Sequence, residues 1–187
     1  PQGDHGYDVS DYFDVEPMFG SLGEFDQMIE DFHERGIMVL MDIVPNHVSS
    51  HHEWFQSALS GGIGNTDEGR FIIREGTGPG GANPPNDWIS IFGGPSWSPF
   101  PSSEDSLQRW YLHMFDPCQP DLNWHHTDVR DRFENILRFW LDRGVDGFRI
   151  DVAHGLFKAP GLPNREGFGD NWSACLSLIH ISEPTRR

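Results

Sequence analysis

Cysteine is nearly absent: the 187 residues hold two, Cys118 and Cys175. That excludes a disulfide framework, so the fold must rest on apolar packing. Such cysteine usage fits a reducing compartment, and a cytoplasmic location is expected. Cations are scarce too. Thirteen Lys and Arg stand against 29 Asp and Glu, a formal net charge of −16. Gripping a phosphate backbone needs clustered Lys and Arg, so no nucleic-acid partner is expected. No apolar run reaches the 18 residues of a membrane-spanning helix, and no membrane partner is expected. His5, His51 and His52 lack a third ligand at a suitable spacing, so neither a metal nor a cofactor is expected. Pro1 to Gly6 reads as the middle of a loop, which places any targeting segment upstream.

What is present can build a core. Hydrophobic residues make up 36% and aromatics 13%. Two helices are legible. In "SLGEFDQMIEDFHERG", Ser21 and Glu24 form a capping box, and Phe25, Met28, Ile29 and Phe32 recur on one face. Gly36 ends it. In "TDVRDRFENILRFWLDRG", Thr127 or its neighbour caps the start. Val129, Phe133, Ile136, Leu137, Trp140 and Leu141 form the stripe, and Gly144 ends it.

A mostly apolar strand follows each helix, Ile37 to Val44 and Val145 to Val152. Both read as strands buried on two faces. Each unit runs helix, Arg-Gly, then a strand with an Asp near its end, Asp42 in the first and Asp151 in the second. This repeat implies an α/β fold with a parallel sheet and outer helices. Between the units lie roughly eighty residues rich in Gly, Pro and Ser, too long for a structureless loop. They read as a small inserted domain with short strands near "RFII" and "WYLHMF".

The stretch "GVDGFRIDVAH" carries the chemistry. Arg149 and Asp151 are two apart, so they share one face of the strand. In a (β/α)₈ barrel, reacting groups sit where strands end at their carboxyl side. Asp42, Asn46 and His47 fall there on the first strand, and Arg149, Asp151 and His154 on the second. Two readings of the Arg–Asp pair stand at this point. It is a structural ion pair, or it is a carboxylate held ionised to attack a sugar carbon. Asp42, deeper in its strand, reads as structural.

Four ordered segments decide between them by resemblance. "DHGYD", "MDIVPNH", "QPDLNW" and "GFRIDVAH" resemble signature segments of the α-amylase superfamily of glycoside hydrolases (family 13). "QPDLNW" is similar to the oligo-1,6-glucosidase and α-glucosidase branch. The resemblance implies a partial (β/α)₈ TIM barrel, about the family's second to fourth strands, with the small domain inserted after the third. Residues 1–45 would be barrel, 46–125 the inserted domain B, and 126–175 barrel again. It also implies roles. Asp151 matches the nucleophile, and Arg149 the arginine that holds it ionised. His47 matches a histidine that binds sugar hydroxyls. Asp4 matches a carboxylate on the far hydroxyls of a terminal glucose, and Tyr7 the aromatic beneath that ring. Phe92, Phe115 and Gln119 match pocket residues of the inserted domain. Val152, after the nucleophile, leans toward α-1,6 linkages. His154 departs from the family's spacing, lying three residues after Asp151 and not four.

The implied enzyme is a retaining α-glucosidase acting on terminal α-linked glucose of small oligosaccharides. Its acid/base Glu belongs to a later strand, so these 187 residues alone are expected to be inactive. A transglycosylase or isomerase such as trehalose synthase, or a non-catalytic barrel kept as an interaction module, are the alternatives. The final stretch, residues 176–187, resembles a translated sequencing adaptor ("LSLIHISEPTR") and is expected to be non-native.

Overall fold

A computed structural model describes residues 1–61, 66–101 and 107–165; the adaptor-like stretch 176–187 lies outside them. The helices are α1 (Leu22–His33), α2 (Glu53–Ser60) and α3 (Thr127–Asp142). The strands are β1 (Leu40–Ile43), β2 (Ile73–Glu75), β3 (Trp97–Phe100), β4 (Arg109–Leu112) and β5 (Gly147–Ile150). Among the described residues three short 3₁₀ turns complete the order, at Thr66–Arg70, Pro79–Gly81 and Ala153–Gly155.

β1 and β5 pair in parallel, with Asp42 opposite Arg149 and Ile43 opposite Ile150. The other strands form an antiparallel sheet in the order β2-β4-β3. Helix α1 starts on the capping box: Ser21 N–H donates to Glu24 Oε2 at 2.8 Å, and Glu24 N–H reaches Ser21 Oγ at 3.4 Å. It ends before Gly36, whose φ of +72° suits the left-handed turn that stops a helix. Helix α3 begins after His126, which makes no side-chain cap hydrogen bond.

The strands are shorter than the apolar runs suggest, and they are not buried on both faces. Leu40 is 69% exposed and Ile150 49%. Among the described residues β1 and β5 have only each other as neighbour, so one edge and part of one face of each meet solvent. The α1 stripe divides for the same reason. Ile29 is buried and Phe25 packs on the core, while Met28 and Phe32 stay exposed. On α3, Val129, Phe133, Ile136 and Trp140 are buried, and Leu141 is exposed.

The main core joins Ile29 of α1, Ile43 of β1, the inner face of α3 and Val145. Trp54, Phe55, Phe71 and Leu122 belong to it. A second cluster, Ile72, Trp88, Trp97, Leu112 and Met114, packs around the antiparallel sheet. That sheet accounts for the strands expected near "RFII" and "WYLHMF". No helix among the described residues is long and apolar enough to cross a membrane.

His52 caps α2, its Nδ1 accepting from Trp54 N–H at 3.1 Å. Burial against Trp54 and Tyr12 pushes its pKa down to about 4. The folded state therefore binds fewer protons than the unfolded state between the ordinary histidine value and about 4. His52's contribution is complete above about pH 6.5 and is lost as pH falls toward 4, about 3 kcal/mol in all. Asn also caps helices well but does not titrate. In the complete protein, urea midpoints at pH 7.5 and 5 should show a smaller acid loss for His52→Asn than for wild type. Equal losses would remove His52 from the acid response.

Candidate active site

The register of the parallel pair makes the site. Asp42 and Arg149 are cross-strand partners, so their side chains leave the same face of the sheet. Asp151, two residues beyond Arg149, returns to that face, and its N–H donates to Ile43 O at 2.9 Å. The guanidinium bridges both carboxylates. Its NH1 lies 2.5 Å from Asp42 Oδ2 and its NH2 2.8 Å from Asp151 Oδ1. The hydrogen bond that Arg149 donates to Asp42, ahead of the charge on Asp151, pushes the guanidinium pKa still higher. Asp42 is thus part of the constellation as well as of the strand.

Directly after Asp151 the chain turns sharply. Val152 has φ 50° and ψ 33°, the left-handed region, where a β-branched residue is an outlier. Strain of this kind costs on the order of 1–3 kcal/mol and gathers at functional sites. The turn leads into Ala153–Gly155, the 3₁₀ segment that holds His154.

His47 sits where β1 ends. Tyr12 fixes that end, its hydroxyl lying 2.7 Å from Val44 O and 3.0 Å from His47 O. Burial raises the Tyr12 pKa, so its hydroxyl keeps its proton. Two of the motifs are neighbours here. His47 and Asp121 form an antiparallel bridge, and Leu122 N–H donates to Asn46 O at 2.9 Å. Trp124 Nε1–H then reaches Pro45 O at 2.8 Å. The bridge brings Gln119 to the histidine: Gln119 Nε2 is 3.1 Å from His47 Nε2 and 2.9 Å from Asp4 Oδ2. Burial lowers the His47 pKa, against the opposing charge of Asp121, so the ring is neutral near pH 7.

Asp4 and Tyr7 lie on one tight loop. The buried Asp8 carboxylate accepts from the N–H of Asp4 at 3.0 Å and of Gly3 at 3.2 Å. Tyr7 N–H closes on Asp4 O at 2.8 Å, and Tyr7 O meets His47 Nε2 at 3.1 Å. The Tyr7 side chain is 41% exposed. It lines, with Asp42, Met41 and Trp140, a crevice of about 440 Å³. From the segment between β1 and α3, Phe115 places its ring 5.0 Å from His47, and Phe92 stands edge-on to Phe115 at 5.8 Å.

Asp4, Tyr7, His47, Phe92, Phe115 and Gln119 thus form one connected patch, and Arg149 with Asp151 forms a second group at the adjoining strand end. The sequence alone did not single out Lys158, Asp8 or the role of Asp121. Lys158 is 2% exposed and reaches Asn46 Oδ1 at 2.8 Å and Asp121 Oδ2 at 2.7 Å. A buried, donor-only cation beside two polar groups of the strand end is a signal that only the fold reveals.

Chemically, the arrangement offers an aromatic face, paired hydrogen-bonding groups and a carboxylate in one region. These are the needs of a sugar ring bound beside a nucleophile. Residues 1–181 match the family described as "Alpha amylase, catalytic domain". The chain belongs to this alpha-amylase family of glycoside hydrolases. It is 40% identical over 184 residues to the oligo-1,6-glucosidase of Parageobacillus thermoglucosidasius, covering 98% of this chain and 31% of that protein. The trehalose-6-phosphate hydrolase structure of Bacillus licheniformis superposes with a TM-score of 0.84 at 36% identity, over 96% of this chain and 31% of that one. The trehalulose synthase of Pseudomonas mesoacidophila MX-45 superposes with a TM-score of 0.81 at 36% identity, over 90% and 29%. The chain therefore spans about 30% of the length of the relatives it matches. Within the alpha-amylase family, β1, β5 and their helices are part of a (β/α)₈ barrel, and the described residues hold only a few of its strands.

Proposed function

We propose that this segment carries the nucleophile and the glucose-holding residues of a retaining α-glucosidase. The observation that carries the reading is the fork of Arg149, which holds the Asp151 carboxylate at 2.8 Å at the strand end. In the proposed reaction an Asp151 oxygen bonds to the anomeric carbon of a terminal glucose as the glycosidic C–O bond breaks. The leaving oxygen takes a proton from a second carboxyl group, about 5 Å from the first in retaining enzymes. Water then attacks the glucosyl ester, gives its proton to that second group, and frees Asp151. We assign the second carboxyl group to the part of the family's length that this chain does not span, and expect these 187 residues to be inactive without it.

In the same reading Tyr7 stacks beneath the ring, while Asp4, His47 and Gln119 hold hydroxyls. Residues 46–125 act as an inserted domain that brings Phe92, Phe115 and Gln119 over the pocket. A closed pocket at Asp4 favours removal of a terminal glucose from a small oligosaccharide. Val152 favours α-1,6 linkages. The likeness to a trehalulose synthase supports a second reading, in which a sugar hydroxyl and not water accepts the glucosyl group.

Incubating the complete protein with maltose, isomaltose, sucrose and trehalose 6-phosphate separates these outcomes. Release of α-glucose from isomaltose, and more slowly from maltose, is expected. New disaccharides in place of glucose would favour the transfer reading. A folded protein that acts on none of the four would overturn the α-glucosidase reading.

A further inference from the structure

The neutral His47 ring can carry its proton on either nitrogen, and the two choices present opposite chemistry to a ligand. The surrounding contacts settle which one. Lys158 Nζ donates to Asn46 Oδ1 at 2.8 Å and to Gly155 O at 2.6 Å. It also forms a buried ion pair with Asp121 Oδ2 at 2.7 Å. An ammonium has donors only. It must face the amide oxygen of Asn46, because the flipped amide would set donor against donor.

The Asn46 amide nitrogen is thereby turned away from Lys158. It lies 3.2 Å from Asp121 Oδ1 and 3.1 Å from His47 Nδ1. An amide NH₂ offers no lone pair, so Nδ1 must be the bare, accepting nitrogen. The proton then sits on Nε2, where Tyr7 O lies 3.1 Å away and can only accept. One contact argues the other way. The Gln119 amide is fixed independently, Oε1 accepting from Asp116 N–H at 3.0 Å and Nε2 donating to Asp4. Its Nε2 therefore meets His47 Nε2 as a second donor. Moving the proton to Nδ1 would satisfy Gln119 but spoil the contacts to both Asn46 and Tyr7, so two contacts outweigh one.

We propose that Lys158 is a positioning residue: its buried ammonium orients the Asn46 amide, and that amide fixes His47 as the Nε2–H tautomer, whose proton Tyr7 O accepts. The functional part rests on the α-glucosidase reading, in which the His47–Tyr7 bond holds the loop of Asp4 and Tyr7 in place for glucose. The tautomer itself does not depend on that reading.

The test uses the complete protein labelled with ¹⁵N at histidine, the His47 signals being assigned by their loss in His47→Asn. Wild type without substrate should show a protonated Nε2 and a bare Nδ1. Lys158→Met, which removes the charge at similar volume, should show a mixed or reversed tautomer. Its KM for the substrate of the wild-type enzyme should rise about tenfold, the worth of one hydrogen bond, with kcat less affected. Asn46→Leu should give the same KM rise, and the double variant no more, because Lys158 acts through Asn46. A proton on Nδ1 in wild type overturns the proposal, even should Lys158→Met fail to fold. A folded Lys158→Met with unchanged tautomer and KM also overturns it. If wild type shows the expected tautomer yet acts on no α-glucoside, the α-glucosidase reading falls and the Lys158–Asn46–His47 linkage stands.

Discussion

Replacing Asp151 with Asn in the complete enzyme should lower kcat by at least about 10⁴-fold, the scale of losing a covalent nucleophile. Asn has almost the same shape. Its amide oxygen can still accept from Arg149 NH2, now 2.8 Å from Asp151 Oδ1. The backbone bond from residue 151 to Ile43 O does not involve the side chain. What is lost is the anionic oxygen that bonds to carbon. Thermal unfolding should therefore stay near the wild-type midpoint while turnover disappears. Activity above about one hundredth of wild type, far outside that range, would return Asp151 to a structural role.

The second large effect is expected at Arg149. One planar guanidinium spans Asp42 at 2.5 Å and Asp151 at 2.8 Å. Arg149→Met would leave two carboxylates facing the same space with no counter-charge. Arg149 is half exposed in this chain, so solvent screening moderates the effect on stability. A loss in kcat/KM of about 10²-fold is expected, the scale of removing one charge-stabilising donor beside a reacting group. Arg149→Lys should recover only part of it, because a point charge cannot reproduce the fork. Adding Asp42→Asn to Arg149→Met should restore some activity by removing one of the opposed charges. If the double variant is no better than the single, repulsion from Asp42 is not the cause.

How far the sequence alone reaches depends on how local each signal is. Helix ends were legible, because Ser21, Glu24, Gly36 and Gly144 act within one turn of their own position. The same-face placement of Arg149 and Asp151 followed from strand alternation. Strand burial did not. The apolar runs at Ile37 to Val44 and Val145 to Val152 say that a strand is present, but Leu40 and Ile150 are exposed because each strand has one neighbour among the described residues. Asp42 looked structural because nothing local links it to Arg149; the link is register between strands 107 residues apart. Lys158 was hidden for the same reason. In "GLFKAP" it resembles any solvated lysine, and its partner Asn46 lies 112 residues away. The patch around Asp4, His47 and Gln119 was assembled by resemblance to the alpha-amylase family, and its contacts depend on the bridge between His47 and Asp121.

The central claim is that Asp151 forms a bond to the anomeric carbon of glucose, and trapping that bond tests it most directly. The complete enzyme would be treated with a 5-fluoro-α-glucosyl fluoride, whose slowed second step lets a glucosyl ester accumulate, then digested and mapped by mass spectrometry. The account predicts one added fluoroglucosyl group, on Asp151. A label on another carboxylate, or an unlabelled enzyme that hydrolyses the reagent to the inverted sugar, would contradict it.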